Sequence, residues 1–187
     1  FVFARAARIK ENMLIFVEQL ALAPARWFEL AAVFSQFGPA ALPQPLQERF
    51  CTWRKLTPGE AEQLDRAVRF LVDMLGNIPR LEPVAEMIAR HKLTLKMIGR
   101  KPFDRLEPAD QGGMLLNLLQ QYDQLLLAGR TPEDVVEVLR SERNFPEALY
   151  RPLEKIVQAA GGWVTRYCFI SELASGMVLE EDIRDVD

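Results

Sequence analysis

The chain has 187 residues, 49% of them hydrophobic and 26% charged, which fits one compact domain with a small appendage. This composition excludes an intrinsically disordered chain, and a net charge of -3 argues against a surface that gathers nucleic-acid phosphates. Cys51 and Cys168 lack CxxC spacing and sit among apolar or aromatic neighbours, so they are read as buried free thiols in a reducing, cytoplasmic compartment. No apolar run reaches the ~18 residues of a membrane span, and residues 1–7 have no signal-peptide architecture.

Residues 9–23 place Ile9, Met13, Phe16, Val17 and Leu20 on one stripe, which predicts an amphipathic helix ended by Pro24. Ahead of it, the apolar start Phe1, Val2 and Phe3 marks a surface for self-association or for docking to a preceding domain, or else tucks against the same domain. Residues 25–37 are almost continuously apolar and predict a helix through the core, stopped by Gly38-Pro39, with Pro43 and Pro45 keeping the next stretch irregular. Thr57-Pro58-Gly59-Glu60 is a capping-box helix start, and the helix reaches Leu75 with Gly76 at its C-terminal glycine position.

A short helix over 83–90 is followed by a basic stretch with Lys92, Lys96, Arg100, Lys101 and Arg105, read as a solvated loop or as an anion pocket. Residues 107–128 predict a leucine-rich core helix closed by Gly129, Thr131-Pro132 opens another, and a last helix covers 146–160. Gly112-Gly113 and Gly161-Gly162 lack the spacing of phosphate loops and are read as turns. Aromatic and β-branched residues over 163–170, and a second segment over 177–183, predict two strands. A nucleophilic triad lacks its base: the single histidine, His91, is read as a helix-end residue, where a cation is favoured. One histidine and two distant cysteines leave no multi-ligand metal site, so no metal and no cofactor are expected.

The run from Ala31 to Pro43 resembles the segment around the His-Asp pair of the HD superfamily, in particular the HD-GYP signalling phosphodiesterases. Ser35 and Gln36 stand at the positions of that metal-binding pair. The helix start at Leu56-Thr57-Pro58-Gly59-Glu60 and the later run 75–85 are both similar to the family, and both put Ala67 where a metal-binding His is expected. His91-Lys92 corresponds to the family's His-His pair, 96–102 to its glycine-tyrosine loop with only Gly99 in common, and Gln120 to the final metal-binding Asp. The resemblance covers residues 13–156 and continues over 173–182.

With the helices predicted above it implies a mostly α fold, an HD-like helical bundle over 24–160 with a linking helix over 1–23, to which the two predicted strands add a small β appendage over 161–187. Ser35, Gln36, Ala67, His91, Lys92 and Gln120 form a vestigial site without catalytic residues. Neutral side chains there cannot supply the deprotonated ligands that hold a cation and activate water. The expectation is a non-enzymatic output domain of a bacterial signalling protein, acting through protein partners, with a receiver domain before Phe1 or as a homodimer. The alternative is a nucleotide-binding domain whose anion contacts are Lys92, Lys96, Arg100 and Lys101.

Overall fold

The computed structural model describes residues 2–51, 56–99 and 101–159. Ten α-helices order these residues: α1 (Val2–Gln19), α2 (Ala25–Phe34), α3 (Phe37–Ala40), α4 (Gln44–Cys51), α5 (Pro58–Gly76), α6 (Glu82–Ala89), α7 (Leu95–Ile98), α8 (Pro108–Leu127), α9 (Pro132–Ser141) and α10 (Tyr150–Ala159). No strand occurs among the described residues, and the two strands expected over 163–170 and 177–183 lie outside them, as do Cys168 and Gly161-Gly162. No described helix is long and apolar enough to cross a membrane.

One contiguous apolar core joins the helices. Its axis is α8, where Met114, Leu115, Leu116, Leu118 and Leu119 are all fully buried. Helices α1, α2, α6 and α9 pack around it, and α5 covers α6 from outside. α1 contributes Ile9, Met13 and Phe16, each without exposed surface, and the expected stripe extends back to Val2 and Ala6. Burying an apolar side chain of this size stabilises by about 1.5–3 kcal/mol, so α1 is an integral part of the bundle's packing. The boundary expected at residue 23 thus falls between two helices, α1 and α2, that pack closely against each other. Val2 is covered by its own domain, whereas Phe3 is 83% exposed.

Local chemistry accounts for the starts and stops. Thr57 accepts from the Glu60 amide and Glu60 accepts from the Thr57 amide, the reciprocal cap expected from the sequence. Thr131 caps α9 through the Asp134 amide. α1 ends at Gln19, four residues before the expected stop. Ala21 turns left-handed at φ 49° and the Leu22 amide reaches back to the Val17 carbonyl, a Schellman-type closure that acts before Pro24 can.

Three expectations about glycine and proline are corrected. Gly38 and Pro39 lie inside α3, and Pro45 lies in the first turn of α4, where a missing amide costs no intrahelical bond. Gly76 ends α5 as an ordinary helical residue, with Asn77 as the cap. Gly112 and Gly113 sit within α8: a methyl on Gly113 would lie 2.5 Å from the Arg90 carbonyl oxygen, so the pair marks a close helix crossing. The basic stretch after α6 is also partly ordered, since it contains α7, a 3-10 turn at Phe103–Arg105 with Phe103 buried, and a bond from the Leu95 amide to the Asn144 carbonyl. The last expected helix is split: a 3-10 turn over Glu147–Leu149 precedes α10.

Candidate functional site

Where α6 ends, the next turn of α8 faces a cavity of about 110 Å³. Ser35, Pro39, Phe50, Leu64, Val68 and Ile88 form part of its wall, His91 and Lys92 lie on the chain leaving α6, and Asn117, Gln120, Gln121 and Gln124 come from α8. The four amides stand at i, i+3, i+4 and i+7, which puts them within one face of a helix. This stripe was missed in the sequence because it lies in a leucine-rich segment that as a whole reads as core.

The six expected site positions divide as follows. Ser35, His91, Lys92 and Gln120 meet at the cavity. Gln36 is fully buried and sits one bond behind the wall: its Nε2 donates to Ser35 Oγ at 2.9 Å, and Ser35 Oγ donates to the Ala32 carbonyl at 2.8 Å. Its Oε1 is buried without any hydrogen-bond partner. Ala67 is half-buried on α5, but its short side chain does not reach the cavity, which Leu64 and Val68 line instead.

Of the expected anion contacts, only Lys92 lines the cavity, and its ammonium pairs with Asp65 at the surface. Lys96 and Lys101 are exposed, and Arg100 lies outside the described residues.

His91 corrects the sequence reading in one respect. It does follow a helix end, with Nδ1 2.9 Å from the Ile88 carbonyl, but the ring is half-buried and burial holds its pKa below the usual histidine value. The neutral form is therefore favoured. A carbonyl can only accept, so the proton sits on Nδ1 and Nε2 keeps a free lone pair.

A residue that the sequence reading did not single out controls the interior beside this cavity. Arg5, on the buried stripe of α1, has no exposed surface. Its Nε donates to Asp123 at 2.9 Å, Nη2 to the Gln120 carbonyl at 3.3 Å, and Nη1 to Cys51 Sγ at 3.6 Å. The guanidinium also stacks 4.6 Å from the centre of the Phe50 ring. Arg8 Nε donates to the other Asp123 oxygen at 2.7 Å. The signal available in the sequence was position: Arg5 lies four residues before Ile9, in register with the apolar stripe. Burial raises the Cys51 thiol pKa above its ordinary value, while neighbouring Arg5 opposes the shift, so Cys51 stays a neutral thiol.

The donor set at the cavity is one imidazole, one hydroxyl, one ammonium and four amides. No group of three His, Cys, Asp or Glu side chains that could share a cation occurs among the described residues. Two carboxylates lie next to the described lining residues, and both are already paired: Asp123 with two guanidiniums and Asp65 with Lys92. These residues do not fit a resident metal ion, because a cation here would find a single imidazole among neutral oxygens and an ammonium, where it needs several imidazole or carboxylate ligands.

No curated protein and no solved structure matches the chain. A family model described as HD domain matches residues 1–137, and that family usually consists of metal-dependent phosphohydrolases. The match spans most of the chain, including every helix that builds the cavity, and on that basis the chain belongs to the HD domain family.

Proposed function

We propose that this chain is a non-hydrolytic, HD-GYP-like domain that serves as the output part of a bacterial signalling protein, passing on a conformational signal through protein contacts. The observation that carries the reading is the cavity itself: its lining offers amides where an HD hydrolase needs cation ligands, and Arg5 fixes a positive charge behind the wall. A hydrolytic metal centre needs several deprotonated ligands to hold the cation and lower the pKa of bound water, and this donor set supplies one neutral imidazole, His91, and no carboxylate.

Two further features support signal transfer. Arg5 ties α1 to Phe50 and to the Gln120 backbone, both in the cavity wall, so a shift of α1 pulls on the site. Phe70 and Met74 are exposed at i and i+4 on α5, and Ile78 is exposed just beyond its end, a surface suited to a protein partner such as a receiver domain or a second copy. The nucleotide reading has Lys92 at the cavity in its favour, but that ammonium is engaged by Asp65.

The test is elemental analysis of purified protein together with hydrolysis of cyclic dinucleotides and a generic phosphodiester under added Mn²⁺ or Fe²⁺. The expected result is no stoichiometric metal and no turnover above buffer. One or two tightly bound ions per chain, or metal-dependent turnover, overturns the reading.

A further inference from the structure

The cavity contains a specific set of unmet hydrogen-bonding groups. Asn117 Nδ2 donates to the Leu93 carbonyl at 3.0 Å, Gln121 Nε2 to Asn117 Oδ1 at 2.7 Å, and Gln124 Nε2 to the Phe50 carbonyl at 2.8 Å. Three of the four amides are thereby fixed in place. The fourth is different: the Gln120 side chain is half-buried and makes no hydrogen bond to any described residue. It presents an N–H donor and a carbonyl acceptor side by side at the cavity. His91 adds an acceptor at Nε2, and Gln36 Oε1 is a fully buried acceptor with no partner, one hydrogen bond behind Ser35. Gln120 and His91 Nε2 are the groups that an occupant can meet, and each direct bond to them adds to its binding; Gln36 Oε1 lies behind the wall, out of an occupant's reach.

Charge and size narrow the occupant. Among the described lining residues Lys92 is the only charged side chain, and it is engaged at the mouth; Arg5 is engaged behind Phe50. An anion entering the cavity would lose its hydration with no free cation among the described lining residues to replace it. The remaining wall, with Pro39, Phe50, Leu64, Val68 and Ile88, is apolar. A volume of about 110 Å³ is somewhat smaller than an engineered cavity of about 150 Å³ that holds benzene, which corresponds to a group of roughly five or six heavy atoms.

We propose that this cavity binds a small uncharged amide, primary or cyclic, either as a free molecule or as the tip of a larger ligand. Gln120 pairs with its donor–acceptor edge and the apolar wall covers its hydrocarbon part. The inference rests on the reading of the cavity as non-hydrolytic and names the chemical class that the site takes.

The probe is 2-pyrrolidinone, a cyclic amide of the right size, added to the full chain and followed by saturation-transfer NMR. The comparators are cyclopentanone, which keeps the ring and the acceptor but lacks the donor, acetate, and inorganic phosphate. The expected result is binding of 2-pyrrolidinone about tenfold tighter than cyclopentanone, the loss that one unmade hydrogen bond produces, with no displacement by acetate or phosphate. Gln120→Leu should remove the preference for the amide, with an unchanged melting curve showing that the variant is folded.

Should that variant not fold, the comparison of probes on the unmodified chain decides alone. Equal binding of cyclopentanone, competition by phosphate, or no transfer from the amide because the cavity holds only water each overturns the proposal. Metal-dependent turnover bears on the non-hydrolytic reading, whereas discrimination among these probes bears on the ligand class, so the two can fail separately.

Discussion

Replacing Arg5 with Met tests whether the buried guanidinium organises this domain. The substitution leaves Asp123, itself only 3% exposed, with one arginine partner where it had two, and removes the bonds to Cys51 and to the Gln120 carbonyl. Breaking a buried pair from one side costs about 3–5 kcal/mol. Arg8 remains 2.7 Å from Asp123 and keeps the carboxylate paired, which places the effect at the low end; the lost stacking on Phe50 adds to it. The net expectation is about 3 kcal/mol of destabilisation, or about 10 °C in melting temperature for a domain of this size.

The assay is urea and thermal unfolding followed by circular dichroism, in a cycle with Asp123→Leu and the double variant. Arg5→Met together with Asp123→Leu removes both charges and replaces them with packed hydrocarbon, so the double variant should be more stable than the sum of the two single losses, by at least about 1 kcal/mol. If Arg5→Met melts within about 1 °C of the unmodified chain, or if the two losses simply add, the pair does not hold α1 to α8 and the reasoning fails.

Two other outcomes follow from geometry already described. Burial lowers the His91 pKa in the folded chain, so the unfolded state takes up the proton more readily; this group's contribution to stability is present above pH 6.5 and is lost as pH falls through the lowered folded value. His91→Asn, which can still donate to the Ile88 carbonyl, should flatten that part of the stability profile, and superimposable melting profiles from neutral to mildly acidic pH would refute it. Gly113→Ala should destabilise by about 1–2 kcal/mol in urea titrations, because its methyl meets the Arg90 backbone and overpacking outweighs the gain in helix propensity. Gly112→Ala faces the flexible Met87 side chain and should cost clearly less, so equal effects of the two would show that the crossing is not backbone-limited.

The sequence was most readable where the determining groups are neighbours in the chain. Thr57 and Glu60 cap each other across three residues, and Thr131 caps α9 in the same way, so these helix starts could be placed without knowing the fold. The amphipathic stripes of α1 and α5 were equally legible. Gly112-Gly113 was not, since whether a glycine pair makes a turn or a helix crossing depends on what lies opposite, here the end of α6. Pro45 misled for a related reason: the same residue ends a helix from inside and starts one from its first turn.

At the site, the resemblance located Ser35, His91, Lys92 and Gln120, which do come together, while Ala67 remains off the wall. Asn117, Gln121 and Gln124 were hidden within a leucine-rich segment that reads as core. Arg5 was hidden by its charge: a guanidinium interrupts an apolar pattern, and only its partner Asp123, 118 residues away, explains why it is buried.

The contact between Gly113 and Arg90 has a mechanical consequence for the cavity. Because the two backbones touch there and α6 stops at that point, the crossing works as a fulcrum, with Asn117 about one helical turn, or about 5.4 Å, further along α8. A tilt of about 10° around that pivot displaces the cavity wall by only about 1 Å over this lever arm. A rocking of α6 against α8 about this crossing would therefore change the space in front of Gln120 only finely, and a bulkier residue at position 113 would move the pivot itself.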